Sequence, residues 1–229
     1  MAADVALVIA AAGESARMKS AVRKPFLDLG GRPIIAVTLE KFAPVSRICQ
    51  VIVTLNRADF AQKDSLLKGP LPLSITDVVA GGATRTGSVA NALAVLSPAV
   101  RIVLIHDAVR PFVSASVIES VIAAAERFGA AIAAAPVRDT IKRVESGLVT
   151  GTIPREGLYL AQTPQGFRRE IIEKAYRARG DKDFTDDALL VEVSGGKVAI
   201  VDGGCANFKI TTPEDLAVAR AIIAAGLGA

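Results

Sequence analysis

ALVIAAAGESARMKSAVRK, residues Ala6 to Lys24, is the stretch that organises the reading of the chain. An apolar run with strand character, Ala6 to Ala10, breaks at Ala11, Ala12 and Gly13 into a turn of small residues, and Arg17 and Lys24 follow. Small residues let the main chain approach a ligand closely, and consecutive N–H groups in such a turn can hold phosphate oxygens. Two cations on the same loop would neutralise a polyphosphate and stabilise charge developing at phosphorus. Alone, the stretch reads equally as an ordinary strand-to-helix turn with solvated charges. The segments around it decide.

Outward from that turn, strand-like runs recur at residues 5–10, 48–55, 101–106, 130–136 and 197–201. Helical patterns lie between and after them, at residues 34–42, 86–96, 116–128, 168–179, 185–193 and 213–225. Such alternation, with nearly continuous apolar strands, predicts an α/β fold with a doubly wound, mostly parallel sheet covered on both faces. Ligands of these sheets bind beyond the carboxyl ends of the strands, which directs Ala11–Gly13, Asp107 and the Ala135-Pro136 corner at one crevice. Residues 140–152, TIKRVESGLVTGT, interrupt the pattern. Their β-branched residues flank Glu145-Ser146-Gly147, which reads as a hairpin. A lone hairpin is marginal and must pack on something, either its own sheet or a second subunit.

Composition narrows the function classes. A chain of 229 residues, 51% of them hydrophobic, is sized for a single domain, with the hairpin as an arm of about residues 138–156. No apolar run is long enough for a bilayer, and residues 2–12 lead straight into a core strand without a signal-peptide pattern; a cytoplasmic protein is expected. Cys49 and Cys205 form no metal knuckle or disulfide framework and read as reduced, buried thiols. The net charge of +4 comes from scattered basic residues, and aromatics are only 4%, so a nucleic-acid surface is not expected. The single histidine, His106, and the lack of a GxSxG elbow argue against triad hydrolases and against a His-rich zinc site. A dinucleotide oxidoreductase is disfavoured too, because the first loop lacks GxGxxG and Leu55-Asn56-Arg57 stand where an acid would.

Three further clusters carry polar groups at strand ends. GGATRTGS, residues 81–88, precedes a helical run and offers its backbone and Ser88 to a base or ribose. HDAVRP, residues 106–111, ends a strand with a carboxylate and a guanidinium, facing either a ligand or each other. NFKITTPED, residues 207–215, puts Lys209 among apolar neighbours, where burial requires an anionic partner. Thr212 as N-cap and Pro213 at the first helical position make an ordinary helix start.

AAAGESARM…RKPFLDLGGRPI, GGATRTGSV, HDAVRPF, the Thr140–Lys142 segment, AQTPQGF, FTDDA and NFKITTPEDL follow in order. Together they resemble the 2-C-methyl-D-erythritol 4-phosphate cytidylyltransferase family, nucleotidyltransferases of the non-mevalonate isoprenoid pathway, from about residue 5 to residue 222. The resemblance implies a Rossmann-like nucleotidyltransferase fold and CMP transfer from CTP to the alcohol phosphate. It implies CTP binding by Ala11, Ala12 and Gly13, with cytosine and ribose contacts at Gly82, Ser88, Asp107 and Ala108. Arg17 and Lys24 match the cations that stabilise the transition state. Arg155 and Lys209 match those that hold the acceptor for attack, with Thr140, Thr163 and Thr185 as hydroxyl contacts and Arg110 beside them. The family's arm exchanges between subunits, which implies a homodimer in which Thr140 and Arg155 serve the neighbour. Ser15 stands where relatives often have a second glycine.

The residue inventory suits this chemistry. A phosphate monoester, with a second pKa of about 6, is already an anionic nucleophile and needs no general base. A divalent cation such as Mg²⁺ would sit mainly on the CTP phosphates, with Asp107 as the candidate protein ligand. Two alternatives remain open at this stage: a cytidylyltransferase for another polyol phosphate such as ribitol 5-phosphate, and a non-catalytic nucleotide-binding module.

Overall fold

Every residue of Val5–Ala11 except Ala10 is buried, and this strand, β1, forms the middle of the molecule. The structure is a computed structural model that describes residues 3–14, 18, 22–61, 63, 67, 71–180 and 182–227. The other strands are β2 (Ile48–Leu55), β3 (Asp77–Ala80), β4 (Ile102–Asp107), β5 (Ala130–Pro136), β6 (Ile141–Glu145), β7 (Leu148–Ile153), β8 (Tyr159–Arg168) and β9 (Ala199–Asp202). The described α-helices are α1 (Ile34–Glu40), α2 (Arg57–Phe60), α3 (Arg85–Leu93), α4 (Ala115–Phe128), α5 (Arg169–Ala178), α6 (Asp187–Val193) and α7 (Pro213–Ala224), and Lys24–Phe26 form a 3₁₀ turn. Seven strands make one sheet in the order β3-β2-β1-β4-β8-β5-β9, and β6 pairs with β7 alone.

The alternation of side chains along β1 explains why helices cover both faces. Leu7 and Ile9 enter one core with Ile35 and Leu39 of α1 and Ile118, Val121 and Ile122 of α4. Ala6 and Val8 enter the opposite core with Val89 and Ala92 of α3, Ile172 and Ala175 of α5, and Leu190 and Val191 of α6. A strand apolar at both parities must be covered on both faces, since each large side chain left in water forfeits about 1.5–3 kcal/mol. A third cluster packs Leu216 and Ala219 of α7 against Leu29, Ile34, Val37, Val109 and Ile210. The α4 helix stops at Gly129, whose φ of 95° suits glycine and where a Cβ would lie 2.4 Å from Ile171 Cδ1.

All five strands read from the apolar pattern are present, and so is the hairpin. Ser146 (φ 50°) and Gly147 (φ 81°) form its two-residue turn, with both central residues in the left-handed region as a type I′ turn demands. Two strands went unread. β3 is short, and β8 has a polar middle, Gln162-Thr163-Pro164-Gln165-Gly166, that carries no strand periodicity.

β8 has a direct consequence for the expected crevice. It runs antiparallel between β4 and β5, so the Ala135-Pro136 corner lies two strands from Asp107 and is absent from the crevice wall. The cysteines also differ from expectation: Cys49 and Cys205 are both exposed free thiols. Cys49 is the second residue of β2, before that strand's buried stretch begins, and Cys205 lies in the segment after β9.

Candidate active site

β1 is hydrogen-bonded to β2 on one side and β4 on the other, both parallel. The chain winds outward in both directions from this pair of neighbours, so the carboxyl ends of β1 and β4 form the topological switch point where such sheets bind ligands. A crevice of about 780 Å³ opens there. Of the residues singled out above, Ala11, Ala12, Gly13, Lys24, Gly82, Ser88, Asp107 and Lys209 line it. Arg17 and Ser15 lie outside the described residues.

Two loops form one wall of the crevice and are built against each other. The first is held by Thr54 Oγ1, which accepts from Ala11 N (3.4 Å), and by Asn56 Nδ2, which donates to the Ala12 carbonyl (3.1 Å). The second needs Gly81 and Gly82. A Cβ at Gly81 would meet Ala12 Cβ at 2.5 Å, and one at Gly82 would meet the Gly87 carbonyl carbon at 2.7 Å. Thr84 caps α3, accepting from Gly87 N at 3.0 Å. The Ser88 hydroxyl accepts from Gly82 N (3.1 Å) and donates to the Thr84 carbonyl (2.8 Å), so it shapes the loop as well as lining the crevice.

Asp107 stands at the floor, where three cations converge on it. Its Oδ2 takes Lys209 Nζ at 3.0 Å and Arg110 Nε at 3.1 Å, and its Oδ1 faces Arg85 Nε at 3.8 Å. Burial alone would raise its pKa, but Lys209, Arg85 and Arg110 outweigh it and hold the carboxyl well below the usual range. Lys209 thus has the anionic partner its apolar surroundings require. The Thr212 cap is present as a full capping box with Asp215.

Several expected contacts turn out to face inward. Arg110 is buried; it bonds Asp107 and, through Nη1, the Asn207 carbonyl (2.9 Å), so it joins the two loops and does not line the crevice. Ala108 is fully buried, with its carbonyl accepting from Thr38 Oγ1 (2.9 Å). Thr163 is 4% exposed, and its hydroxyl bonds Asp107 N and His106 Nδ1, both at 3.0 Å, so it supports the floor from behind. Thr185 is exposed in the segment before α6 and does not itself line the crevice. Thr140 and Arg155 are exposed at the base of the hairpin, where Arg155 bonds the Arg138 carbonyl, and neither reaches this chain's crevice.

Arg85 is the main residue that the reading of the sequence missed. Its Nη1 pairs at 2.7 Å with Asp187, which is 1% exposed and also accepts from the Tyr176 hydroxyl at 2.6 Å. A signal was available: a cation in the first turn of a helix opposes the helix dipole and implies a specific anionic partner. Gln165 of the AQTPQGF segment supports the same corner, its Oε1 accepting from Asp187 N and Ala188 N at 3.1 Å each.

A small-residue loop at the switch point of a mostly parallel sheet, with cations gathered around one carboxylate, defines a nucleotide-binding α/β protein of the nucleotidyltransferase class. Residues 5–225 match the family described as IspD, 2-C-methyl-D-erythritol 4-phosphate cytidylyltransferase, and the chain belongs to that family, an enzyme family. It is 42% identical over 221 residues to the 2-C-methyl-D-erythritol 4-phosphate cytidylyltransferase of Bacillus licheniformis, covering 96% of this chain and 95% of that one. Among solved structures it is similar to the Thermus thermophilus enzyme of that name, with 37% identity, a TM-score of 0.77 and coverage of 97% and 98%. It is also similar to the 4-diphosphocytidyl-2C-methyl-D-erythritol synthase of Anaerococcus prevotii, with 30% identity, a TM-score of 0.81 and coverage of 96% and 98%.

Proposed function

We propose that the chain transfers CMP from CTP to 2-C-methyl-D-erythritol 4-phosphate, giving 4-diphosphocytidyl-2-C-methyl-D-erythritol and pyrophosphate. The observation that carries this reading, beside family membership, is the meeting of Lys24 and Lys209 with the Ala11–Gly13 turn around one crevice. A phosphate oxygen of the acceptor attacks the α-phosphorus in line, a new P–O bond forms, and the bond to the β-phosphate bridging oxygen breaks with pyrophosphate as the leaving group. Two polyanions must approach each other, so the protein's contribution is position and positive charge. The backbone of the first loop and Lys24 hold the triphosphate, joined by Arg17. Lys209 lies beside them, 38% exposed, with Asp107 setting its place.

A divalent cation such as Mg²⁺ would be held chiefly by the triphosphate oxygens. Among the described residues no group of three or more His, Cys, Asp or Glu side chains stands ready to hold a metal, while Asp107 and Glu14 both line the crevice. That donor set suits Mg²⁺, which keeps phosphate and water ligands and takes one or two carboxylates. Asp107 Oδ1 is the better placed oxygen, because Oδ2 already receives two cations. The ion's contribution is neutralisation of the phosphate charge.

The enzyme acts as a homodimer through the hairpin. Val144, Leu148 and Val149 on the arm are 55%, 72% and 62% exposed, and Leu160 at the outer end of β8 is 61% exposed. A two-stranded hairpin with bare apolar side chains gains its stability from a partner surface. A second copy supplies that surface and receives Thr140 and Arg155 at its own crevice. A cytoplasmic setting follows from the metabolite substrates, and no described helix is long and apolar enough to cross a membrane.

The test is pyrophosphate release with CTP, Mg²⁺ and 2-C-methyl-D-erythritol 4-phosphate, beside ribitol 5-phosphate and a no-acceptor control. Release dependent on the methylerythritol substrate is expected. Release with ribitol 5-phosphate alone would move the acceptor, and no release despite CTP binding would remove the catalytic roles.

A further inference from the structure

His106 is fully buried at the end of β4, next to Asp107, and no step of the reaction uses it. Its two ring nitrogens are nevertheless both engaged. Nε2 lies 3.1 Å from the Arg110 carbonyl oxygen, and Nδ1 lies 3.0 Å from Thr163 Oγ1. A carbonyl only accepts, so Nε2 must carry the proton and, in the neutral ring, Nδ1 must accept. The Thr163 hydroxyl therefore donates to Nδ1, and its oxygen accepts from Asp107 N at 3.0 Å. One directional chain results, running from Asp107 N–H through Thr163 O–H to Nδ1, and from Nε2–H to the Arg110 carbonyl.

We propose that His106 is a positioning residue for the nucleotide half of the site, locking the 107–110 loop to β8 through its Nε2–H tautomer and so fixing where the Asp107 carboxylate stands. The lock acts on the two residues that organise the floor. Asp107 holds Lys209, and Arg110 ties that loop to Asn207 on the segment carrying Lys209. The opposite tautomer would undo it, because Nδ1–H would turn on Thr163 Oγ1 and Nε2 would have no proton to give the Arg110 carbonyl. The surroundings keep the ring neutral. Burial pushes its pKa down to about 4, with Arg110 and Lys209 adding to this and the Arg110 carbonyl and Asp107 opposing it. From the other packed elements the ring meets the Phe42 ring, with centroids 4.9 Å apart, and its register partner on β1 is the apolar Ile9.

The inference rests on the CTP reading of the crevice, and its test separates the two. The chain holds one histidine, so a ¹⁵N spectrum of its imidazole contains one ring. A protonated Nε2 with bare Nδ1 is expected near neutral pH. An Nδ1–H tautomer would overturn the proposal. CTP affinity is then measured by calorimetry for Thr163→Val, His106→Phe and the double variant. Each single change should weaken CTP about tenfold, with the double no worse than the weaker single, while Thr163→Ser stays near the parent. Effects that add, or a Thr163→Val defect confined to KM for the alcohol phosphate, would overturn it. Should His106→Phe not fold, Thr163→Val and the spectrum still decide. Absent turnover with an intact tautomer and the expected CTP affinities would count against the reaction and leave the role of His106 standing.

Discussion

Lys209 and Arg110 share one oxygen of Asp107, and that arrangement separates residues that hold the site from residues that face its ligand. Lys24 lines the crevice, so Lys24→Ala should lower kcat on the order of a hundredfold with the fold retained, as loss of one oriented donor does elsewhere. A steady-state rate within threefold of the parent would remove its role. Arg85 works differently, since removing it strands a buried carboxylate. Arg85→Ala should cost about 3 kcal/mol of stability, read as a lower urea midpoint, because Asp187 at 1% exposed loses its cation. The pH dependence of folding falls to His106. Its ring binds a proton at about 6.5 when unfolded and at about 4 when folded, so its contribution is complete above 6.5 and is lost as pH falls toward 4. Stability should drop on the order of 3 kcal/mol across that window on this account, measured by urea unfolding at several pH values. In a folded His106→Phe protein that part of the slope should be gone. Asp107, whose pKa is depressed, adds a further loss only at lower pH.

At the scale of elements, the second loop is the least forgiving piece of backbone. Gly81→Ala places a methyl 2.5 Å from Ala12 Cβ and 3.1 Å from the Leu55 carbonyl, pressing the two crevice loops apart. Overpacking of this kind costs about 1–3 kcal/mol, and the expected result is a rise of about tenfold in KM for CTP with little change in the acceptor's. An unchanged KM for CTP would mean that the loops move together without consequence. The elements also differ in how openly the chain announces them. β1, β2, β4 and β5 are apolar runs, α4 is amphipathic between a serine cap and a glycine stop, and the hairpin has its Ser-Gly turn. β8 announces nothing, because Gln162, Thr163 and Gln165 are polar residues buried to serve the site. Their hydrogen bonds go to Asn207, His106 and Asp186, distant in the chain, so no local period marks them.

Over the whole molecule, the open question is whether one crevice draws on two chains. Arg155 lies on the arm and Lys209 at the floor, so inactive Lys209→Ala and Arg155→Ala proteins should regain activity when unfolded together and refolded as a mixture. Random pairing makes half the dimers mixed, each with one intact site of two, so recovery should approach about a quarter of the parent activity. No recovery from a mixture that does form dimers would place Arg155 in its own chain's site. Read alone, the residues determined the alternation of strands and helices, the crevice at the end of β1 and β4, the loops that line it, and the family. Only the tertiary structure decided that β8 wedges antiparallel between β4 and β5, that Arg110, Thr163 and Ala108 face inward, and that Arg85 bridges Asp187 toward Asp107. Apolar periodicity is a local property written into consecutive residues, whereas strand pairing and buried hydrogen bonds join residues far apart in sequence, and their partners exist only once the chain has closed on itself.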